Sequence, residues 1–240
     1  MTPTSAAAPD GPVVAARGLG VVYQGVPACA HVDLDLSPGQ VLGISGPSGS
    51  GKSTLLRLLA AVEVPTSGDL DLGGRAVVRA GRRVGRAPRP GYVMPILQDA
   101  VGSLDPRWPL WAGVTEPLTA PHRREPNLPR TRRERRAHAA AALAEVGLDD
   151  LDPDARPAAL SVGQCQRAAV LRALLAEPAL ITADEPTAAL DVVAADQVLT
   201  LLRRAARRGS AVVIVSHDRR ALAGIADTVL TMSAGRLHPS

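Results

Sequence analysis

The chain is predicted to fold as α/β, a parallel-sheet core with a mainly helical lobe inserted into it, and three observations carry that prediction. A glycine-rich stretch, GPSGSGKST at 46–54, lies between an apolar run and a leucine-rich segment. Two further apolar runs, ALITAD and AVVIVS, each lead into polar residues. From about residue 99 to 160 the composition turns to Pro, Arg, Ala and acids, with few β-branched runs. Buried parallel strands read as continuous apolar runs, whereas helices repeat their apolar residues about every 3.6 positions. With 240 residues and 46% hydrophobic content, the chain can bury one large core or a core plus a smaller lobe.

The elements follow in order. Residues 1–12, MTPTSAAAPDGP, lack the basic start and apolar run of a signal peptide, and their Pro, Ala and Ser content predicts a disordered tail. The segment 13–36 alternates apolar and polar residues around Gly25, Pro27 and Ser37-Pro38-Gly39, which predicts short strands joined by turns. QVLGIS at 40–45 reads as a buried strand, and Leu55, Leu56, Leu58 and Leu59 follow the glycine-rich stretch at helical spacing. Pro65-Thr66-Ser67-Gly68 ends that unit, and 69–96 reads as further strand and loop. In the lobe, RTRRERRAHAAAALAEV at 130–146 reads as an amphipathic helix, Arg-rich on one side, with Ala142, Leu143 and Val146 on the other. A second helix opens at Ser161, strands follow at 179–184 and 211–216, and helix and strand signals alternate from Arg219 onward.

Composition narrows the function classes. A net charge of +4 with a sequence pI near 9.8 permits nucleic-acid binding but does not demand it, and the Arg run at 130–136 reads as a solvated helix face, so no nucleic-acid partner is expected. No stretch approaches 18 consecutive apolar residues, so no membrane span is predicted. Cys29 and Cys165 lie far apart without metal-ligand spacing and read as buried free thiols in a reducing compartment.

The glycine-rich stretch fits G-x-x-x-x-G-K-[ST], and a preceding strand with a following helix separates a phosphate loop from a chance match. Gly46, Gly49 and Gly51 let backbone amides turn inward, and the helix starting near Lys52 adds its positive end. Lys52 is the only lysine among 27 basic side chains. Reaching a β- or γ-phosphate inside such a cradle suits a slim ammonium on a flexible stem better than a planar guanidinium. Ser53 supplies a hydroxyl for Mg²⁺. In ALITADEPT, Asp184 would hold the metal shell while Glu185 orients and deprotonates a water. AVVIVS delivers His217 to a strand end, across the phosphate crevice. LSVGQ at 160–164 has a structural explanation, because Ser161 and Gln164 form the S-x-x-Q pattern of a capping box. A capped helix start containing Gly163 is also an anion site.

Taken together, GPSGSGKST, Gln98, LSVGQ, LITADEPT, AALD and SHD resemble the nucleotide-binding subunit of an ABC (ATP-binding cassette) transporter, over about 13–237. The resemblance implies an α/β P-loop NTPase core of ABC-cassette type, with an antiparallel β subdomain and an inserted helical subdomain. The domain would span 13–238, with the helical insertion at about 99–165. It implies ATP and Mg²⁺ as cofactors, with Gly46, Pro47, Ser48, Gly49, Ser50, Gly51, Lys52, Ser53 and Thr54 around the phosphates. Tyr23 would stack on adenine, and Gln98 would contact the metal and water. Asp191 would lie in the loop after the acidic pair, and His217 would act as the switch histidine. Ser161, Gly163 and Gln164 would act on ATP held by an opposite subunit. Val162 departs from the usual glycine of that signature.

QDAVGSLDPR at 98–107 further resembles the peptide and nickel importer branch, where Q-D-x-x-x-S-L-(N/D)-P-R is typical. Larger members of that branch carry a cysteine-rich C-terminal extension, and a chain ending at residue 240 without one leans toward the short nickel-type or dipeptide-type subunits. The partners then implied are a second cassette, identical or a sibling, integral membrane permease subunits and an extracytoplasmic substrate-binding protein. The expected location is the cytoplasmic face of the membrane. An accessory ATPase of a phosphonate-degrading complex, or another non-transport ABC ATPase, stays open as an alternative. Trp108 and Trp111 lie just beyond Gln98 among prolines, and read either as packing inside the lobe or as anchors of a groove for a permease helix.

Overall fold

The computed structural model describes residues 11–120, 123, 125, 127–188 and 190–240. The tail expected at the N-terminus lies outside the described residues, except for positions 11 and 12.

The chain opens with a hairpin of β1 (Val14–Tyr23) and β2 (Val26–Leu36), followed by β3 (Val41–Ser45) and α1 (Lys52–Leu59). Next come β4 (Ser67–Leu72), β5 (Arg75–Arg79), β6 (Arg82–Arg83) and β7 (Val93–Ile96). The helical region holds α2 (Leu110–Val114), a 3₁₀ turn at Glu116–Thr119, α3 (Arg132–Ala144), a second 3₁₀ turn at Pro157–Ala159 and α4 (Val162–Leu175). The chain closes with β8 (Leu180–Asp184), α5 (Val192–Arg207), β9 (Ala211–Val215), α6 (Arg219–Ile225), β10 (Thr228–Ser233) and β11 (Arg236–Pro239).

The expected short strands at 13–36 are in fact two long ones, of 10 and 11 residues. A two-residue turn joins them, with both Gln24 (φ 49°) and Gly25 (φ 83°) left-handed, as tight hairpins require. Pro27 does not end a strand, because β2 is an edge strand and needs no N–H on its free side. These strands head a five-stranded antiparallel sheet in the order β2-β1-β4-β5-β6.

The second sheet has the order β11-β10-β3-β9-β8-β7 and is parallel except for β11. Its central strands are buried along their whole length, as in VLGIS and AVVIV. Alternation then sorts their side chains between two cores. Leu42, Ile44, Val213 and Val215 join α1 and the antiparallel sheet in one cluster. Val41, Val212 and Ile214 join Val198 and Leu202 of α5 and Leu222 of α6 in another. The parallel sheet is thus covered on both faces, as its apolar strands demand.

A separate cluster holds the helical region, where Leu104, Leu110, Trp111, Val114, Leu143, Val146 and Cys165 pack together. The inward face expected of α3 is observed, with Ala142, Leu143 and Val146 buried. Capping boxes open both long helices, Thr131 with Glu134 on α3 and Ser161 with Gln164 on α4. The lower half of α4 keeps Ala169 and Leu171 in this cluster and delivers Val170 and Ala173 to the core beside α5, so one helix ties the two regions together. Both cysteines are buried and free, and burial pushes the Cys29 thiol up to about 11.

Candidate functional site

The loop between β3 and α1 owes its shape to its glycines. Gly46 (φ 148°) and Gly51 (φ 104°) adopt backbone angles that L-residues avoid. Both are also closely approached: a Cβ would lie 2.2 Å from Met232 O at Gly46 and 2.0 Å from Ala28 O at Gly51. Pro47, Ser48 and Gly49 form the exposed crest, and Ser50 is buried beneath it. Gly51 stands at the N-cap of α1 without a side chain to satisfy the first-turn N–H groups, an arrangement suited to receiving an anion. Lys52 is 9% exposed, and its Nζ donates to the carbonyl oxygens of Gly46 and Pro47 at 2.8 Å each. The lone ammonium is therefore held at the mouth of the loop. The Thr54 hydroxyl turns away and accepts from Arg57 Nη2 at 3.2 Å.

Asp184 ends β8 and Glu185 follows it. Glu185 has φ 49°, a left-handed backbone in a residue with a bulky side chain, and such strain concentrates at functional positions. Its N–H donates to Val215 O at 3.0 Å, which fixes the turn against the neighbouring strand β9. Its carboxylate meets a residue just beyond β9: Oε1 accepts from the His217 backbone N at 3.0 Å, and Oε2 lies 3.0 Å from His217 Nδ1. A carboxylate oxygen accepts, so this contact is a hydrogen bond in the tautomer that carries its proton on Nδ1. His217 is held from the other side as well, because Asp218 caps α6 by accepting from Arg220 N and Ala221 N.

The order β3-β9-β8-β7 sets these groups in one row. The phosphate loop follows β3, His217 follows β9, Asp184 ends β8 with Glu185 next to it, and Gln98 is exposed two residues beyond β7. At 4.7–4.9 Å per strand the row is about 14 Å long. Half-buried Asp184 makes no hydrogen bond or ion pair through its carboxylate among the described residues, and the Ser53 hydroxyl likewise has no partner. A hydroxyl, a carboxylate and an amide oxygen are hard donors that fit Mg²⁺, which keeps waters and takes further oxygens from phosphate. Among the described residues no cluster of three His, Cys, Asp or Glu forms a metal cage.

The remaining expected residues lie elsewhere. Tyr23 is 42% exposed at the tip of the β1–β2 hairpin. Ser161 and Gln164 close the capping box of α4 upon each other, at 2.8 and 3.2 Å, with Gly163 in its first turn and Val162 56% exposed. Among the described residues no hydrogen bond joins that turn to the phosphate loop. Asp191 serves as the N-cap of α5, its Oδ1 accepting from Ala194 N at 2.9 Å. Trp108 and Trp111 part company. Trp111 is 7% exposed within the helical cluster, with the Arg132 and Arg135 guanidinium carbons 5.7 and 5.1 Å from its ring centroid, while Trp108 is 41% exposed. A groove of about 270 Å³, lined in part by Gly91, Met94 and Pro117, opens by the amino-terminal end of β7, away from the phosphate loop.

The family model described as ABC transporter matches residues 29–188, two thirds of the chain. The chain belongs to the ABC transporter family. Among its relatives, the di/tripeptide transport ATP-binding protein DppF of Pseudomonas aeruginosa is 37% identical over 221 residues, covering 92% of this chain and 66% of that protein. The dipeptide transport ATP-binding protein DppF of Escherichia coli is 36% identical, covering 88% and 61%. The nickel import ATP-binding protein NikE of Shigella boydii is 35% identical, covering 86% and 75%. The chain thus spans 61–66% of the length of the two dipeptide relatives. Its fold is that of an ABC cassette: a dimeric ATP-binding cassette in a post-hydrolysis state, bound to ADP and Pi, superposes with a TM-score of 0.80 at 27% identity, covering 94% of this chain and 98% of that one.

Proposed function

We propose that this ABC-family chain binds and hydrolyses ATP as the motor subunit of an importer for dipeptides, oligopeptides or nickel. The observation that carries the reading is the Glu185 carboxylate, bonded to both the backbone N and the ring Nδ1 of His217, beside a lysine-bearing phosphate loop. The likeness to dipeptide and nickel import proteins supports the solute class.

Each residue then has a role. Backbone N–H groups of the loop, Pro47 having none, and the Lys52 ammonium neutralise the phosphates, where preorganised donors act without reorganisation. Ser53, Asp184 and Gln98 would hold Mg²⁺, which supplies charge neutralisation between phosphate oxygens. Glu185 takes a proton from the attacking water at a carboxylate oxygen, and His217 orients that carboxylate and adds a polar contact near the γ-phosphate. Tyr23 stacks on the adenine ring. Ser161, Gly163 and Gln164 present the start of α4 to ATP on a second cassette, with Asp191 in the same contact. Val162 adds a branched side chain where backbone approaches phosphate, which favours a non-identical sibling as that partner. The domain spans 13–238 with its helical part at about 99–165. Trp108, exposed beyond Gln98, receives a permease helix. Permease subunits and an extracytoplasmic binding protein complete the assembly, on the cytoplasmic face of the membrane.

The test is ATP turnover by the purified chain, alone and with a sibling cassette, across protein concentrations. Turnover should be low alone, rise with assembly and vanish in Lys52→Ala together with ATP binding. Undiminished binding by Lys52→Ala refutes the phosphate-loop assignment, and high activity independent of concentration refutes the shared site.

A further inference from the structure

Tyr23 belongs to the antiparallel sheet, whereas the phosphate loop and α1 belong to the parallel-sheet core. Three polar contacts join them. Tyr23 Oη donates to Glu63 Oε1. Glu63 Oε2 accepts from Arg57 Nε at 3.0 Å. Arg57 Nη2 in turn donates to Thr54 Oγ1 at 3.2 Å, on the first turn of α1 and two residues past Lys52. The backbone of Glu63 is fixed to the same helix, because its N–H donates to Arg57 O at 3.2 Å.

An ion pair this exposed adds little to stability, since solvent screens it. Its geometry is better suited to orientation. A tyrosine at a hairpin tip is free to turn about two side-chain bonds; a tether at the hydroxyl, which lies on the axis of the second, stops the swing about the first and so fixes where the ring sits. The tether leads to the helix that follows the phosphate loop, so it sets the distance between a stacked base and the phosphates of the same nucleotide.

We infer that Glu63, braced by Arg57, is a positioning residue that fixes the Tyr23 ring relative to the phosphate loop, so that a purine base and its triphosphate are engaged together. This rests on the stacking role proposed for Tyr23. Glu63 therefore contributes to recognition of the base and not of the phosphates.

The experiment measures affinities of the full chain for ATP and for inorganic tripolyphosphate by calorimetry. Glu63→Ala should weaken ATP about fivefold, the scale of one charge-assisted hydrogen bond reduced by exposure, and leave tripolyphosphate unchanged. Tyr23→Phe, which removes the hydroxyl alone, should match it. Glu63→Gln, which keeps an acceptor for Tyr23 and loses the ion pair, should fall between wild type and Glu63→Ala. Adding Glu63→Ala to Tyr23→Phe should cost nothing further. Equal losses for both ligands, or losses that multiply in the double variant, overturn the inference. Tyr23→Ala with wild-type ATP affinity overturns the stacking reading itself, and the inference with it.

Discussion

Replacing Glu185 by glutamine changes the chemistry of one group and little of its shape. In the native chain Oε1 accepts from His217 N and Oε2 faces His217 Nδ1, both at 3.0 Å. A glutamine carbonyl keeps the first bond, and its NH₂ keeps the second once the imidazole takes the other tautomer. Stability should therefore change by about 1 kcal/mol or less, the scale of one exchanged hydrogen bond. The proton acceptor is lost. Removing a positioned general base lowers turnover by about 10²–10⁴-fold, which at 1.36 kcal/mol per decade raises the barrier by roughly 2.7–5.4 kcal/mol. The assay is phosphate release at saturating ATP from the chain assembled with its partner cassette, together with ATP affinity and the thermal midpoint of the isolated chain. Affinity and midpoint should stay close to wild type while turnover falls at least about a hundredfold. Near-normal turnover would refute the assignment of Glu185 as base. A large drop in midpoint would show that the pair with His217 serves the fold instead.

Four further perturbations test the fold and the surface. Gly51→Ala would set a Cβ 2.0 Å from Ala28 O and 2.9 Å from Met232 Cε at φ 104°. Overpacking of about 1–3 kcal/mol, with left-handed strain of about 1–2 kcal/mol, should lower the thermal midpoint by several degrees and abolish ATP binding; a wild-type midpoint would refute this. Asp227 joins α5 to the start of β3, with Oδ1 paired to Arg203 Nη2 at 2.7 Å and Oδ2 accepting from Val41 N at 2.8 Å, and these two partners hold its carboxyl below its ordinary range. A depressed folded value means that the contribution is full above about pH 4 and is lost as pH falls through the folded value. Asp227→Asn should thus cost about 1 kcal/mol at pH 7, discounted for exposure, and progressively less in urea titrations at lower pH; a difference that persists unchanged at pH 2 would exclude the ionic cause. Trp111→Ala should cost about 3–5 kcal/mol as a buried truncation, whereas Trp108→Ala should leave the midpoint nearly unchanged and weaken assembly with the permease. A folded Trp108→Ala chain that assembles and transports normally removes Trp108 from the docking groove.

What the sequence determined by itself was local. GPSGSGKST is the tight loop between β3 and α1, and its motif called for glycine where the backbone turns, as the positive φ of Gly46, Gly49 and Gly51 bears out, although the close approach of Met232 O and Ala28 O to two of them is tertiary. The capping box of Ser161 and Gln164 was legible for the same reason, since its partners are three residues apart. The apolar face of α3 follows from helical period. Strand length at 13–36 was misread because Pro27 and the glycines signal turns unless one knows that β2 lies at a sheet edge and tolerates them. Tertiary structure decided everything that depended on strand order. Sequence carries β3, β7, β8 and β9 as separate apolar runs, and only their parallel pairing puts the ends of β8 and β9 side by side, so that Glu185 reaches His217 across 32 positions. It also parted Trp108 from Trp111, which composition could not distinguish, by burying one in the helical cluster. The tether from Tyr23 through Glu63 and Arg57 to Thr54 was likewise invisible, because it joins two sheets whose contact is set by the packing of a shared core and not by any local pattern.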